Sequence, residues 1–238
     1  RQAAVDRIST FEPASLTELK RVSDAIREPL AELAVGLNCT SGRLGHDAGP
    51  CTQPVTYAAM FHFGFCLPDI LIPSIGARSL VDVTECLGQL RAVLTDSELD
   101  GVRVACAAAA VGFQNAKRQI KPGMTEMQVS VLLGGCISTA ASRARSGAFG
   151  FCMSGPNSAD AYRAYQLPGM RCLQDRDIAL LHANSFVRGM WTDITRTYSI
   201  GDIDGRVHSV RAAVHEAMEA AVDAVRPGVR GCEVERAP

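Results

Sequence analysis

Across 238 residues the chain is 47% hydrophobic and 21% charged, with a formal net charge of −1. That is ordinary globular usage on a length sufficient for one large or two smaller domains, and it argues against wholesale disorder. No run of like charge stands out, which argues against a nucleic-acid surface or a polybasic membrane patch. Small molecules, peptides or another protein surface remain as partners.

The nine cysteines include no Cys-x-x-Cys pair, and their number is odd. They read as reduced, mostly buried thiols of an intracellular protein rather than zinc ligands or disulfides. The most apolar stretch, "MFHFGFCLPDILIPSIG" from Met60 to Gly76, carries Asp69 and two prolines. It is too short and too interrupted to span a bilayer. No signal peptide opens the chain, so a cytoplasmic location is expected. The chain starts at Arg1 without a methionine, which suggests residues upstream.

In chain order, "SLTE" from Ser15 is a capping-box pattern. Leu19, Val22, Ile26, Leu30 and Leu33 follow at helical spacing, with Pro29 set to kink or split the helix. Residues 38–78 read as strands and loops of an α/β layer. A second domain is expected from Gly88, giving domains 1–87 and 88–238. From Val102 a long amphipathic helix runs through Cys106, Ala109, Phe113, Ala116 and Ile120 to the stop signal "KPG". "TEMQ" (Thr125 to Gln128) caps a further helix reaching Arg143. Strands then follow in "AFGFCMSG", "DIALLHA", "FVRGMW" and "DITRTYSI", with turns at Gly189 and the polar breaks. In the last of these, Asp193, Thr195 and Thr197 alternate and share one face.

Residues 102–129 align without a gap on residues 207–234, offset by 105, with "[IV]-[KR]-P-G" in register at the helix end. Two copies of helix, Pro-Gly turn, helix and strands describe an α/β domain with an internal pseudo-two-fold. The second copy reaches Pro238 before its strands.

These stretches, together with "SGPNSADAY" (154–162) and "LQDRDIALLHANSFVRGMWTDITRTYSIGD" (173–202), resemble the "pita-bread" M24 peptidases. That family includes Xaa-Pro aminopeptidases, prolidases, methionine aminopeptidase and creatinase. The resemblance implies a mixed α/β (α+β) fold: a partial N-terminal domain of the creatinase and aminopeptidase P type over 1–87, then an incomplete, truncated pita-bread domain. It also implies two divalent ions, manganese or cobalt, held by two Asp, one His and two Glu, with a bridging water as nucleophile. Asp193 takes the second Asp position. Eleven residues earlier His182 stands where the family reads like "LLDAG", and Asn184 replaces the glycine. Tyr162 takes the position of a substrate-contacting histidine, and the remaining His and Glu ligands belong to the unfinished second copy.

Each of these residues has two readings. Asp193 is a metal ligand by descent, or a strand carboxylate bonded to Thr195 or Thr197. His182 is a surviving ligand, or a buried, hydrogen-bonded imidazole; exchanging Asp for neutral His removes a charge and an oxygen donor. Tyr162 is a packed or substrate-lining aromatic, or a catalytic acid; tyrosine can hydrogen-bond an oxyanion but is a poor proton shuttle near neutrality. His208 and His215 read as solvated helix surface, and Asp177 as a turn residue. The resemblance therefore implies an Xaa-Pro peptidase-like hydrolase, inactive by this chain alone, its ions not fully bound. Its substrate would be a peptide or small amide, without nucleic acid or membrane, and a homodimer is open at full length. The alternatives are a metal-independent creatinase-like hydrolase or a non-catalytic pita-bread binding domain.

Overall fold

The computed structural model describes residues 21–47, 67–141, 146–161 and 168–238. The chain divides into two compact units, residues 1–97 and 98–238. The "SLTE" capping box lies outside the described residues.

In the first unit, helix α1 (Val22–Gly36) contains Pro29 as a single element. Strand β1 (Arg43–His46) pairs in parallel with β2 (Ser79–Asp82), Arg43 opposite Ser79. Parallel neighbours need a crossover, and helix α2 (Leu67–Ile75) lies between them in sequence. This corrects the reading of 38–78 as strands and loops alone: Pro73 suggested a break, yet it sits inside α2. Ala34 and Ile70 are buried where α1 and α2 pack. Helix α3 (Thr84–Ala92) follows, with Asp82 Oδ1 accepting from the Thr84 amide at 2.9 Å. The boundary expected at 87/88 falls inside α3.

The second unit is built on helix α4 (Asp96–Gln119), whose residues 98 onward belong to it. Its buried face is Ala105, Ala108, Ala109, Gly112, Phe113 and Ala116, the 3.6-residue stripe that a core-facing helix requires. Gly112 permits close approach to helix α5 (Glu126–Ala140): a Cβ there would lie 2.5 Å from Ile137 Cα. Between the helices, Gly123 adopts φ +88° and donates to Leu173 O at 2.8 Å. Thr125 then forms the expected capping box, Thr125 N to Gln128 Oε1 at 2.8 Å and Gln128 N to Thr125 Oγ1 at 3.1 Å. Helix α5 ends at Ala140, before the expected Arg143.

Helix α5 lies on an antiparallel sheet of β3 (Ser146–Ser154), β4 (Ile178–Val187) and β5 (Met190–Ser199), in that order. Three strands form where four were expected. "FVRGMW" is the hairpin itself: Arg188 and Gly189 take φ +53° and +85°, the left-handed pair of a two-residue turn. Odd-numbered residues of β4 face the core beneath α4 and α5, where Leu133, Ile137, Cys152, Leu173 and Leu181 are buried. Short helix α6 (Pro156–Ala159) leaves β3.

Helix α7 (Gly205–Ala224) follows β5, its N-cap Asp204 accepting from the Arg206 amide at 2.7 Å. A turn with Gly228 at φ +86° leads to α8 (Gly231–Glu235). The repeat holds in the backbone: helix ends Gln119 and Ala224, glycines 123 and 228, N-caps Thr125 and Arg230 all stand 105 apart.

Among the described residues no helix is long and apolar enough to cross a membrane. The cysteines were expected mostly buried, but of those described only Cys152 is; Cys39, Cys86, Cys106, Cys172 and Cys232 are exposed free thiols. Apolar sequence neighbours do not determine which side of a helix or turn a thiol occupies.

Candidate functional site

The β4–β5 register places the "WTDITRT" strand against residues 180–186. Thr195 pairs with His182, and Asp193 with Asn184. Phe151 and Phe149 of β3 pair with His182 and Asn184 in turn. Residues paired across antiparallel strands share a face. One sheet face therefore carries His182, Asn184, Asp193, Thr195 and the two phenylalanines, opposite the buried core.

On that face the Asp193 side chain is 77% exposed, whereas that of His182 is only 12% exposed. His182 Nδ1 lies 2.9 Å from Thr195 Oγ1 and 3.5 Å from Asp193 Oδ1. The Phe151 ring sits 5.6 Å away by centroids. Burial holds the imidazole below its ordinary value of 6.5, with Asp193 pulling the other way, so the ring is neutral near pH 7. At the turn, the Phe186 and Trp191 rings meet at a 44° tilt with centroids 4.9 Å apart and close the hairpin end. The structure thus brings His182 and Asp193 within 3.5 Å of one another. Tyr162 lies outside the described residues. His208 and His215 are exposed on α7, with His215 Nε2 at 3.6 Å from Glu219.

A second polar cluster went unseen in the sequence. Glu126, the first residue of α5, is buried, and its Oε1 accepts from the Ser154 amide at 2.7 Å and hydroxyl at 2.8 Å. Asn157 Nδ2 reaches both carboxylate oxygens at 3.0 and 3.1 Å, and the Gly169 amide approaches at 3.4 Å. One carboxylate therefore pins the segment after β3 and the segment before β4 to the same helix start. Arg171 extends the network, donating to Ser154 Oγ at 2.6 Å and forking onto Asp177 at 2.6 and 3.0 Å. The Arg171 hydrogen bonds hold the Asp177 carboxyl below its ordinary value. Asp177 also accepts from the Gln174 amide at 2.8 Å, the turn role read from the sequence. Gly155, at φ +52°, leaves room for this pair: a Cβ there would sit 2.7 Å from Asp177 Oδ1. Glu126 sits in the first turn of α5, and its partners lie 28 to 43 residues away.

Residues 100–237 match the family described as metallopeptidase family M24. The chain belongs to family M24. A probable dipeptidase PepE from Mycobacterium tuberculosis is 32% identical over 170 residues, 70% of this chain and 44% of its own. Two solved structures are similar. The X-Pro aminopeptidase from Thermotoga maritima has a TM-score of 0.69 at 20% identity, covering 88% of this chain and 54% of that one. The dipeptidase PepE from Mycobacterium ulcerans has a TM-score of 0.62 at 29% identity, covering 88% and 52%. The chain spans about half the length of these relatives and has the pita-bread fold.

M24 enzymes generally work with two metal ions, and the residues of this face can be tested against that requirement. His182 and Asp193 are two donors, and among the described residues no three His, Cys, Asp or Glu are grouped to hold an ion. A stable site wants four or more ligands. Nor, among the described residues, does any buried side-chain nitrogen or oxygen lack a hydrogen-bond partner, so no orphaned donor awaits a cation. The described residues do not fit a two-ion centre.

Proposed function

We propose that this M24 domain binds peptides of the Xaa-Pro type on the β4–β5 face, with Asp193, Asn184 and Thr195 as its polar contacts. Asp193 at the second-ligand position of the family, exposed beside His182, is the observation that carries the reading. An exposed carboxylate flanked by a carboxamide and a hydroxyl suits a chain bearing an ammonium group and amide bonds. Phe149, 60% exposed on the same face, adds apolar surface for a proline ring. Tyr162 is assigned to substrate lining, and the setting is cytoplasmic, with a homodimer as the assembly to look for.

Hydrolysis before proline is the reaction of the Xaa-Pro peptidases of the family, and the described residues do not assemble a metal-activated water. A binding domain without turnover is the second reading, favoured by the Thr195 hydroxyl already seated on His182. Calorimetry with Xaa-Pro dipeptides, run beside a product assay, tests both. Saturable binding that Asp193→Ala weakens about tenfold supports the site, taking one charge-assisted contact as the loss. Unchanged affinity in that variant refutes it. Product release before proline returns the chain to the peptidases, and release from small amides alone to the creatinase-like class.

A further inference from the structure

His182 and Asn184 stand two residues apart on β4 and share a face. They are also the two positions where this strand departs from the "LLDAG" pattern that M24 members resemble. Each change takes away something a divalent ion uses. Imidazole replaces carboxylate, removing a negative charge and an oxygen donor, and a carboxamide fills space that glycine leaves open.

The imidazole finds its hydrogen-bond partner across the sheet. From the facing strand, Thr195 Oγ1 holds Nδ1 at 2.9 Å, closer than Asp193 Oδ1 at 3.5 Å. In either tautomer Nδ1 is committed to the threonine. Phe151 packs beside the ring, which is mostly buried although Asp193 is open to solvent.

We propose that His182 converts a metal-ligand position into a hydrogen-bonded strut between β4 and β5, with the Asn184 carboxamide filling the space a glycine would leave, and that this face does not assemble the two-ion centre of its family. The placement of residue 182 rests on the M24 correspondence used for the peptide-binding reading. The test needs no peptide, so the two fail separately.

Zinc and manganese are titrated into the full chain while the histidine ring nitrogens are followed by 15N spectra. In the wild type the His182 signals stay in place at stoichiometric zinc, whereas Thr195→Val moves them with no metal present. The double variant His182→Asp with Asn184→Gly binds manganese at least about tenfold more tightly than wild type, the gain expected from a restored carboxylate. Movement of the wild-type His182 signals by stoichiometric zinc overturns the proposal, as does a pair of manganese ions retained through dialysis. Unmoved signals in Thr195→Val overturn the strut. Should the double variant not fold, the wild-type and Thr195→Val spectra decide alone.

Discussion

The two copies of the repeat share their punctuation and differ in burial. Helix α4 ends, turns through a left-handed glycine, caps and restarts 105 residues before α7 does the same. Yet α4 buries six residues on one face, and α7 buries none. The counterparts of Ala105, Ala109 and Phe113 are Val210, Val214 and Met218, all more than half exposed. Helix ends are decided by a few neighbouring residues. Burial depends on what packs from elsewhere, which for α4 is α5 over the β3–β5 sheet.

The largest expected difference tests that contrast at matched positions. Phe113→Ala removes a ring that is 4% exposed and should destabilise the second unit by about 3–5 kcal/mol. Met218→Ala, 105 residues on, should change stability by less than about 0.5 kcal/mol. Chemical denaturation of both variants measures the pair, and equal losses would mean that α7 is packed as α4 is.

The polar network around Glu126 belongs to the first copy. Gly231 stands 105 residues after Glu126 and carries no carboxylate to pin neighbouring segments. Asp177→Asn should cost about 1–3 kcal/mol at neutral pH, by leaving Arg171 without its charged partner. The sign with pH follows from the Asp177 carboxyl lying below its ordinary value of 3.8, first through the Arg171 hydrogen bond. The folded state then binds fewer protons than the unfolded one. The contribution is fully present above pH 3.8 and is lost as pH falls through the depressed value. Wild type and variant should converge in acid, and a stability gap that persists there would contradict the linkage.

How much could be read in advance follows the same division between local and distant causes. The Thr125–Gln128 box, the "KPG" stop and the shared face of Asp193, Thr195 and Thr197 were legible because each depends on residues within a few positions. A turn at Gly189 was legible from the glycine, but the left-handed Arg188 before it was not, since arginine gives no hint of that conformation. The Glu126 cluster was hidden because Ser154, Asn157 and Gly169 meet it only after the sheet has formed. The cysteines failed for a related reason: a thiol's exposure depends on which neighbours arrive. At the candidate site, His182 and Asp193 could be paired by family spacing, but the Thr195 bond needed the strand register.

If punctuation is local, it should cost the same in both copies. Gly123→Ala and Gly228→Ala each place a Cβ on a left-handed backbone, at φ +88° and +86°, with open space around it. Each should lose about 1 kcal/mol of local stability, seen as faster amide exchange at the turn. A much larger loss at Gly123 would show that the surrounding core, including its 2.8 Å bond to Leu173, amplifies a local strain.

The smallest effect on folding belongs to the exposed face of α7, and it separates stability from association. Val214 and Met218 lie one turn apart, flanked by Val210 and Val222 in an apolar stripe at four-residue spacing. Replacing both by lysine should shift the unfolding free energy by less than about 0.5 kcal/mol, because neither side chain is buried. A continuous apolar stripe in water nonetheless favours contact with another such surface. Sedimentation should therefore show concentration-dependent association in the wild type and less of it in Val214→Lys with Met218→Lys. A wild-type chain that stays monodisperse at high concentration would show that α7 tolerates its exposure, leaving burial in the first copy as a feature of α4's neighbours rather than of the repeat.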